Sequence, residues 1–309
     1  MIDFRYHLVS IIAIFFALAT GIILGAGPFD ERSEEVIADQ LALIRDRNQE
    51  LQNEIDTLEG DREFQETFIQ AVTPRVVDGE LDERRVLLVV LPGVEDQLRD
   101  SVRTDLEAAG ATVPATMTIQ PTWTDAESET VLDELAVELV SLSGATLPED
   151  GDGFDRGSAV LAGALLAGPD DLEEGIDAAA LAGFTEADLV IVDGDLESES
   201  NLAVVLAGPP PEDDPERRNG TLVSLAEGLD RAGSGTVVAG PAAAAAETGL
   251  LTVIRDGSGG VSTVDSTELP SARLAVVLAT AEQDAGGVGH YGKVNAADGA
   301  VPEQESGES

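Results

Sequence analysis

Side chains that bind soft or borderline metals are scarce in this 309-residue chain: no cysteine, two methionines and two histidines. Sulfur ligands suit soft metal ions, whereas imidazole suits borderline ones such as zinc. Beyond the N-terminal segment these donors reduce to Met117 and His290. His290 stands in Gly289-His290-Tyr291-Gly292. A histidine–tyrosine pair between glycines can ligate a metal or line a narrow passage, and its ring equally suits a packed turn. A serine–histidine–acid triad built on His290 is a further alternative. Asp193-Gly194-Asp195 follows an apolar run, where it can hold a hard cation or simply end a strand. His290, Tyr291, Asp193 and Asp195 are the candidate metal residues.

Residue type and spacing exclude much other chemistry. Without cysteine there is no disulfide scaffold and no thiolate-ligated zinc, haem or iron–sulfur centre. Pro92-Gly93-Val94-Glu95-Asp96 fills the turn where a dinucleotide fold carries G-x-G-x-x-G, and its two carboxylates repel phosphate. The lone lysine, Lys293, leaves no Walker A loop, and G-x-S-x-G is absent. Asp150 and Asp152 begin like a calcium loop, but Phe154 and Asp155 break the pattern an EF-hand needs, leaving loose cation binding. No enzyme is expected. Sixty acidic against seventeen basic side chains give a net charge of −43. So few scattered cations form no basic stripe, and no nucleic-acid partner is expected. The charge reads as an acid-biased surface, or alternatively as an acidic patch that gathers cations.

The candidate residues need a scaffold, and the chain's patterning supplies one. Residues 86–91 are a continuous apolar run, expected for a strand buried on both faces. A helix over 95–109 and a strand within 111–119 complete a βαβ opening. Helices are expected over 127–142, 172–182 and 222–231, with a short one at 242–247. Strands are expected at 188–192, the first of these strongly buried, 235–239 and 261–264. Residues 274–279 suit either state. The fold class is α/β, an open and mostly parallel sheet over residues 84–292. Residues 149–155 and 209–216 read as surface loops, and the acidic tail 293–309 as disordered.

Ahead of this domain, residues 8–29 carry no charged side chain and suit a transmembrane anchor over 1–29. A signal peptide is the competing reading, but its best cut, after Gly25-Ala26-Gly27, is followed by Pro28. The flanking charges predict a short cytoplasmic N-terminus, with His7 at the membrane edge, and an exported remainder. Residues 30–73 read as a coiled-coil helix. Ile37, Leu41, Ile44, Asn48, Leu51, Ile55 and Leu58 follow alternating steps of four and three, with Asn48 at an a position. That seam predicts a homo-oligomer, with a lone amphipathic helix as the alternative. Thr73-Pro74 is expected to end the helix.

Both ends of the chain carry a family likeness. Met1-Ile2-Asp3-Phe4-Arg5-Tyr6-His7-Leu8-Val9-Ser10, Ala17-Leu18-Ala19-Thr20-Gly21, Leu24-Gly25-Ala26-Gly27 and Gly286-Gly287-Val288-Gly289-His290-Tyr291-Gly292 resemble the actinobacterial copper transporter family typified by MctB. The resemblance implies a role in copper homeostasis that keeps intracellular copper low, with the copper ion as transported species rather than resident cofactor. It describes the type member as a pore-forming protein of the outer envelope. His290 and Tyr291 match the family's C-terminal motif. The alternative function is a non-transporting envelope scaffold whose α/β domain binds a protein or glycan partner.

Overall fold

The computed structural model describes residues 4–25, 29–166, 178–194, 200–257 and 259–303. The chain divides into two units, Met1–Gln65 and Glu66–Ser309.

In the first unit, α1 (Phe4–Gly25) contains a 20-residue stretch, Tyr6–Gly25, long and apolar enough to cross a membrane. Its apolar side chains point outward all round, Phe16 and Ile23 among them, as suits a helix solvated by lipid. The Thr20 hydroxyl donates to the Phe16 carbonyl at 2.7 Å, so this polar group is satisfied within the helix. The next helix, α2 (Phe29–Val76), is 48 residues long and crosses the division between the units. It continues through Pro74, where an end was expected. Proline removes only its own donor, and the last turn holds: Thr73 Oγ1 donates to the Ile69 carbonyl at 2.8 Å, and Val77 N donates to the Thr73 carbonyl at 3.0 Å.

Among the described residues the second unit is built on a seven-stranded sheet. Its strands are β1 (Val86–Val90), β2 (Ala115–Ile119), β3 (Val190–Gly194), β4 (Leu202–Leu206), β5 (Gly235–Ala239), β6 (Ser262–Val264) and β7 (His290–Tyr291), in the order β3-β2-β1-β4-β5-β6-β7. All neighbours run parallel except β2 and β3. Side chains alternate along β1 with period two. Leu87 and Val89 enter one core, Val86 and Leu88 the other. The first core is covered by α4 (Ser128–Ser143), α5 (Gly153–Leu165), α6 (Ala178–Glu186), α7 (Pro215–Ala232) and α8 (Leu250–Asp256). The second lies under α3 (Asp96–Ala108) and α9 (Pro270–Asp284). This is the mostly parallel α/β sheet expected.

Several elements differ from expectation. The run at 188–192 is no doubly buried strand: β3 is an antiparallel edge strand with Ile191 51% exposed. β4 is buried throughout, as β1 and β5 are, and is absent from the expected strands. Residues 274–279 resolve as part of the helix α9. The loop at 149–155 ends by starting α5. Asp155 N donates to Asp152 Oδ1 at 3.0 Å, and Asp152 N donates to Asp155 Oδ2 at 3.1 Å. Those carboxylates satisfy helix-end donors in a reciprocal cap. Of the helix expected at 172–182, residues 172–177 lie outside the described residues, and α6 covers the rest. The tail expected to be disordered folds back at its start: Gly292 N donates to Gly299 O at 3.0 Å and Asp298 N to His290 O at 3.1 Å.

Candidate functional site

His290 and Tyr291 form β7, at one edge of the sheet, in register with Thr263 and Val264 of β6. Their surroundings are set by a buried ion pair. Asp265, which directly follows β6, is fully buried, and its Oδ2 lies 3.0 Å from Arg255 Nη2 on α8. Asp265 Oδ1 accepts from Lys293 N at 2.8 Å, Val294 N at 3.1 Å and Ser266 Oγ at 2.7 Å. Arg255 also donates to the carbonyls of Tyr291 at 2.9 Å and Val294 at 2.6 Å. Charge-assisted bonds of this kind are about twice as strong as neutral ones. Together they clamp residues 291–294.

The His290 ring joins the same network. Arg255 Nε donates to Thr263 Oγ1 at 2.8 Å, and the same hydroxyl lies within hydrogen-bond distance of His290 Nδ1, at 3.1 Å. Burial, and then the neighbouring Arg255 charge, push the imidazole pKa below its ordinary value; Asp298 partly opposes this. The ring is therefore neutral at pH 7. Tyr291 is buried and donates its hydroxyl to Glu282 Oε2 at 2.7 Å. Burial, and then this carboxylate, push the phenol well above its usual range, so it stays protonated.

The flanking glycines have packing reasons. Gly292 has φ +131°, and a Cβ there would lie 2.3 Å from the Asp265 carboxylate. A Cβ on Gly289 would overlap the Tyr291 hydroxyl. Gly289, His290, Tyr291 and Gly292 are thus the segment that fits over the Asp265–Arg255 pair.

The acidic candidates lie elsewhere. Asp193 is exposed on β3, at the opposite edge of the sheet, opposite Thr116. Six strand spacings separate β3 from β7, roughly 29 Å, so Asp193 and His290 share no site. Asp193 also sits at the wrong end for a typical α/β ligand. Because β3 runs antiparallel, Gly194 meets Ala115, at the amino end of β2. Asp195 lies outside the described residues. Among the described residues no three His, Asp or Glu side chains converge as a metal site. Met117 is fully buried in the core, where its thioether packs.

The carboxyl ends of the parallel strands hold the crevice that the sequence reading missed. Strand order reverses between β1 and β4, the position where open α/β sheets bind ligands. Here the gap is divided. A Cβ on Gly208 would lie 2.7 Å from Pro92 O and 2.9 Å from Gly93 C, so the loops after β1 and β4 touch backbone to backbone. A pocket of about 330 Å³ lies on one side, lined by Pro121, Arg218, Asn219 and Leu222. On the other is one of about 490 Å³, lined by Glu95, Gln97, Ser101, Thr267, Glu268 and Arg273. Arg273 is spoken for: its Nε donates to Asp105 Oδ2 at 3.2 Å. Burial raises the Asp105 pKa, with Arg273 working against it. Asp96 in the first turn of α3, with Glu95 before it, offsets the helix dipole and repels anions. Signals for this crevice existed in the sequence: the Pro92-Gly93 and Gly208-Pro209 turns each follow an apolar run.

Comparison with known proteins places this architecture. The family described as "Copper transport outer membrane protein, MctB" matches residues 1–302. The chain belongs to the MctB family. Its relatives include the protein named "Copper transporter MctB" of Mycobacterium tuberculosis (strain ATCC 25618 / H37Rv), 28% identical over 94% of this chain and 96% of the relative. The protein of that name from Mycobacterium leprae (strain TN) is 25% identical, again over 94% of this chain and 96% of the relative. The MctB family match takes in both the apolar α1 and the clamped β7 segment. Membership associates the chain with a membrane and with copper transport.

Proposed function

We propose that this chain is a non-enzymatic protein of the cell envelope that supports copper efflux, and so keeps intracellular copper low. The supporting observation is the MctB family match, which spans the anchor-like helix, the long polar helix and the α/β domain. Copper is the transported species. In this reading α1 is an uncleaved membrane anchor with a short cytoplasmic end. Nearly all of the charge of −43 then lies on the exported side, since Asp3 and Arg5 cancel. Copies assemble through α2. His290 and Tyr291 serve by shaping the β7 edge.

Deletion of the gene should raise intracellular copper and copper sensitivity, and the full chain should restore both. A deletion strain with normal copper content and normal tolerance ends this reading. A charged residue in the middle of α1, such as Ile14→Asp, costs about 2.5–3.5 kcal/mol of insertion. It should move the protein from the membrane fraction to the soluble one.

The second reading is an envelope binding protein or scaffold. Its supporting observation is the divided crevice at the carboxyl ends of β1 and β4, with polar groups on both sides of the Gly208 contact. Normal copper handling in the deletion strain would favour it.

A further inference from the structure

We propose that α2 pairs with α2 of a second copy as a parallel, in-register two-stranded coil whose C-terminal half is held apart by its own charge and closed by salt. The inference rests on the anchored oligomer proposed above and adds its geometry and its regulation.

Every residue from 39 to 65 is exposed in the single chain, including the seam side chains Leu41, Ile44, Leu51, Ile55 and Leu58 at 41–60%. A 3.5-residue period fits another helix of the same period better than a globular surface, and a second copy supplies one.

Asn48 chooses the direction. In a parallel, in-register pair, a positions face a positions, so the two Asn48 amides meet and bond each other. In an antiparallel pair, a faces d, and the matching register sets Asn48 against Leu51. The amide is then buried without a partner, which costs more than an exposed ion pair returns. Two copies anchored in one membrane through α1 also begin their coils side by side.

That arrangement fixes the flanking contacts. With Leu41, Asn48 and Ile55 at a, the g positions are Gln40, Arg47, Glu54 and Asp61, and the e positions are Arg45, Gln52, Glu59 and Glu66. In a parallel pair each g faces the e position five residues on in the other copy. Gln40 then meets Arg45, and Arg47 meets Gln52, without repulsion. Further on, Glu54 meets Glu59 and Asp61 meets Glu66, and symmetry doubles each contact. Arg62, at the next a position, interrupts the apolar seam at this same end. Exposed like charges repel less as salt shortens the screening length from about 10 Å at 0.1 M to about 3 Å at 1 M. Salt therefore zips the C-terminal half.

The test uses the full chain in detergent micelles. Because the sequence has no cysteine, single variants Ile44→Cys and Leu58→Cys, both at d, report register without background. Both should form the inter-chain disulfide on oxidation, and Leu58→Cys should need high salt. By sedimentation, the dimer dissociation constant should fall about tenfold between about 0.1 M and 1 M sodium chloride. Glu59→Lys turns the repulsive contact attractive and should abolish or reverse that response. A chain monomeric at every salt concentration removes the oligomer and this inference together. A dimer in which either cysteine variant, or both, fails to cross-link even at about 1 M salt keeps the oligomer and overturns the parallel register. A dimer indifferent to salt, or one whose salt response survives Glu59→Lys, overturns the regulation.

Discussion

The carboxylate of Asp265 and the guanidinium of Arg255 lie 3.0 Å apart beneath β7, with side-chain exposures of 0% and 9%. Asp265 is fully buried and Arg255 nearly so, and each makes further bonds to the backbone of residues 291–294. The most distinctive short motif of the C-terminal region is therefore seated on an ion pair that the motif itself does not contain.

Asp265→Asn should be among the most damaging single changes in the α/β domain. It keeps the size of the side chain but leaves Arg255 buried with an uncompensated charge. Breaking such a pair from one side costs about 3–5 kcal/mol. Arg255→Met alone should be similarly harmful. The double variant should be less destabilised than the sum of the two, because both charges leave together. Urea unfolding of the four chains in a double-mutant cycle measures this. Strict additivity would mean the two residues act independently.

Gly292→Ala should destabilise the same segment by about 1–3 kcal/mol. Its φ of +131° disfavours a side chain, and the new Cβ would meet the Asp265 carboxylate. Gly220, inside α7 with nothing within 4 Å of its would-be Cβ, is the control. Gly220→Ala should be neutral or slightly stabilising. Thermal midpoints of the two variants should move in opposite directions.

The sequence discloses this region unevenly, for physical reasons. The run 86–91 and the strand at 235–239 stand out because strands buried on both faces leave few polar positions, here Thr236 alone. β4 is just as apolar, but its five residues sit between a polar stretch and a proline-rich loop, which obscured them. Asp150 and Asp152 suggested cation binding, whereas Asp152 pairs with Asp155 in a capping box; that box and a calcium loop both begin with spaced carboxylates. His290 and Tyr291 were conspicuous by rarity. Their partners were not: Asp265 and Arg255 are ordinary residues 25 and 35 positions before His290, and only the β6–β7 pairing brings them together. The Asp193 run misled because an apolar stretch does not announce strand direction, and an antiparallel β3 moves its end to the far side of the sheet.

Acid should weaken the fold through His290. Its folded pKa is lowered, chiefly by burial and then by Arg255, from an ordinary value of 6.5. Above that value both folded and unfolded rings are neutral, and the group has no effect. As pH falls below it, the unfolded chain takes up the proton first, so stability is lost until the lowered folded value is passed. Asp105 acts in the opposite sense. Its raised folded pKa adds stability as pH falls through that value, so the His290 contribution must be isolated by difference. Urea midpoints for the parent chain and His290→Gln, followed from pH 7.5 to 5, should show the parent losing ground relative to the variant. Parallel curves would mean that the ring's surroundings do not favour its neutral form.

His290→Ala separates the two roles open to this ring. A metal ligand or its direct support typically matters by 10–100-fold in affinity or activity. A ring that packs on Thr263 at the sheet edge contributes only to local stability, and the Asp265–Arg255 clamp persists without it. Among the described residues no cluster of three acidic or imidazole groups accompanies His290. In a deletion strain supplied with His290→Ala, intracellular copper should therefore stay within about twofold of the strain carrying the parent chain, well short of a ligand's effect. Asp265→Asn, at matched expression, should give a larger rise by disturbing the whole β7 edge. If His290→Ala instead raised copper as far as the deletion does, with its folding intact by urea denaturation, the imidazole would be acting on the metal itself.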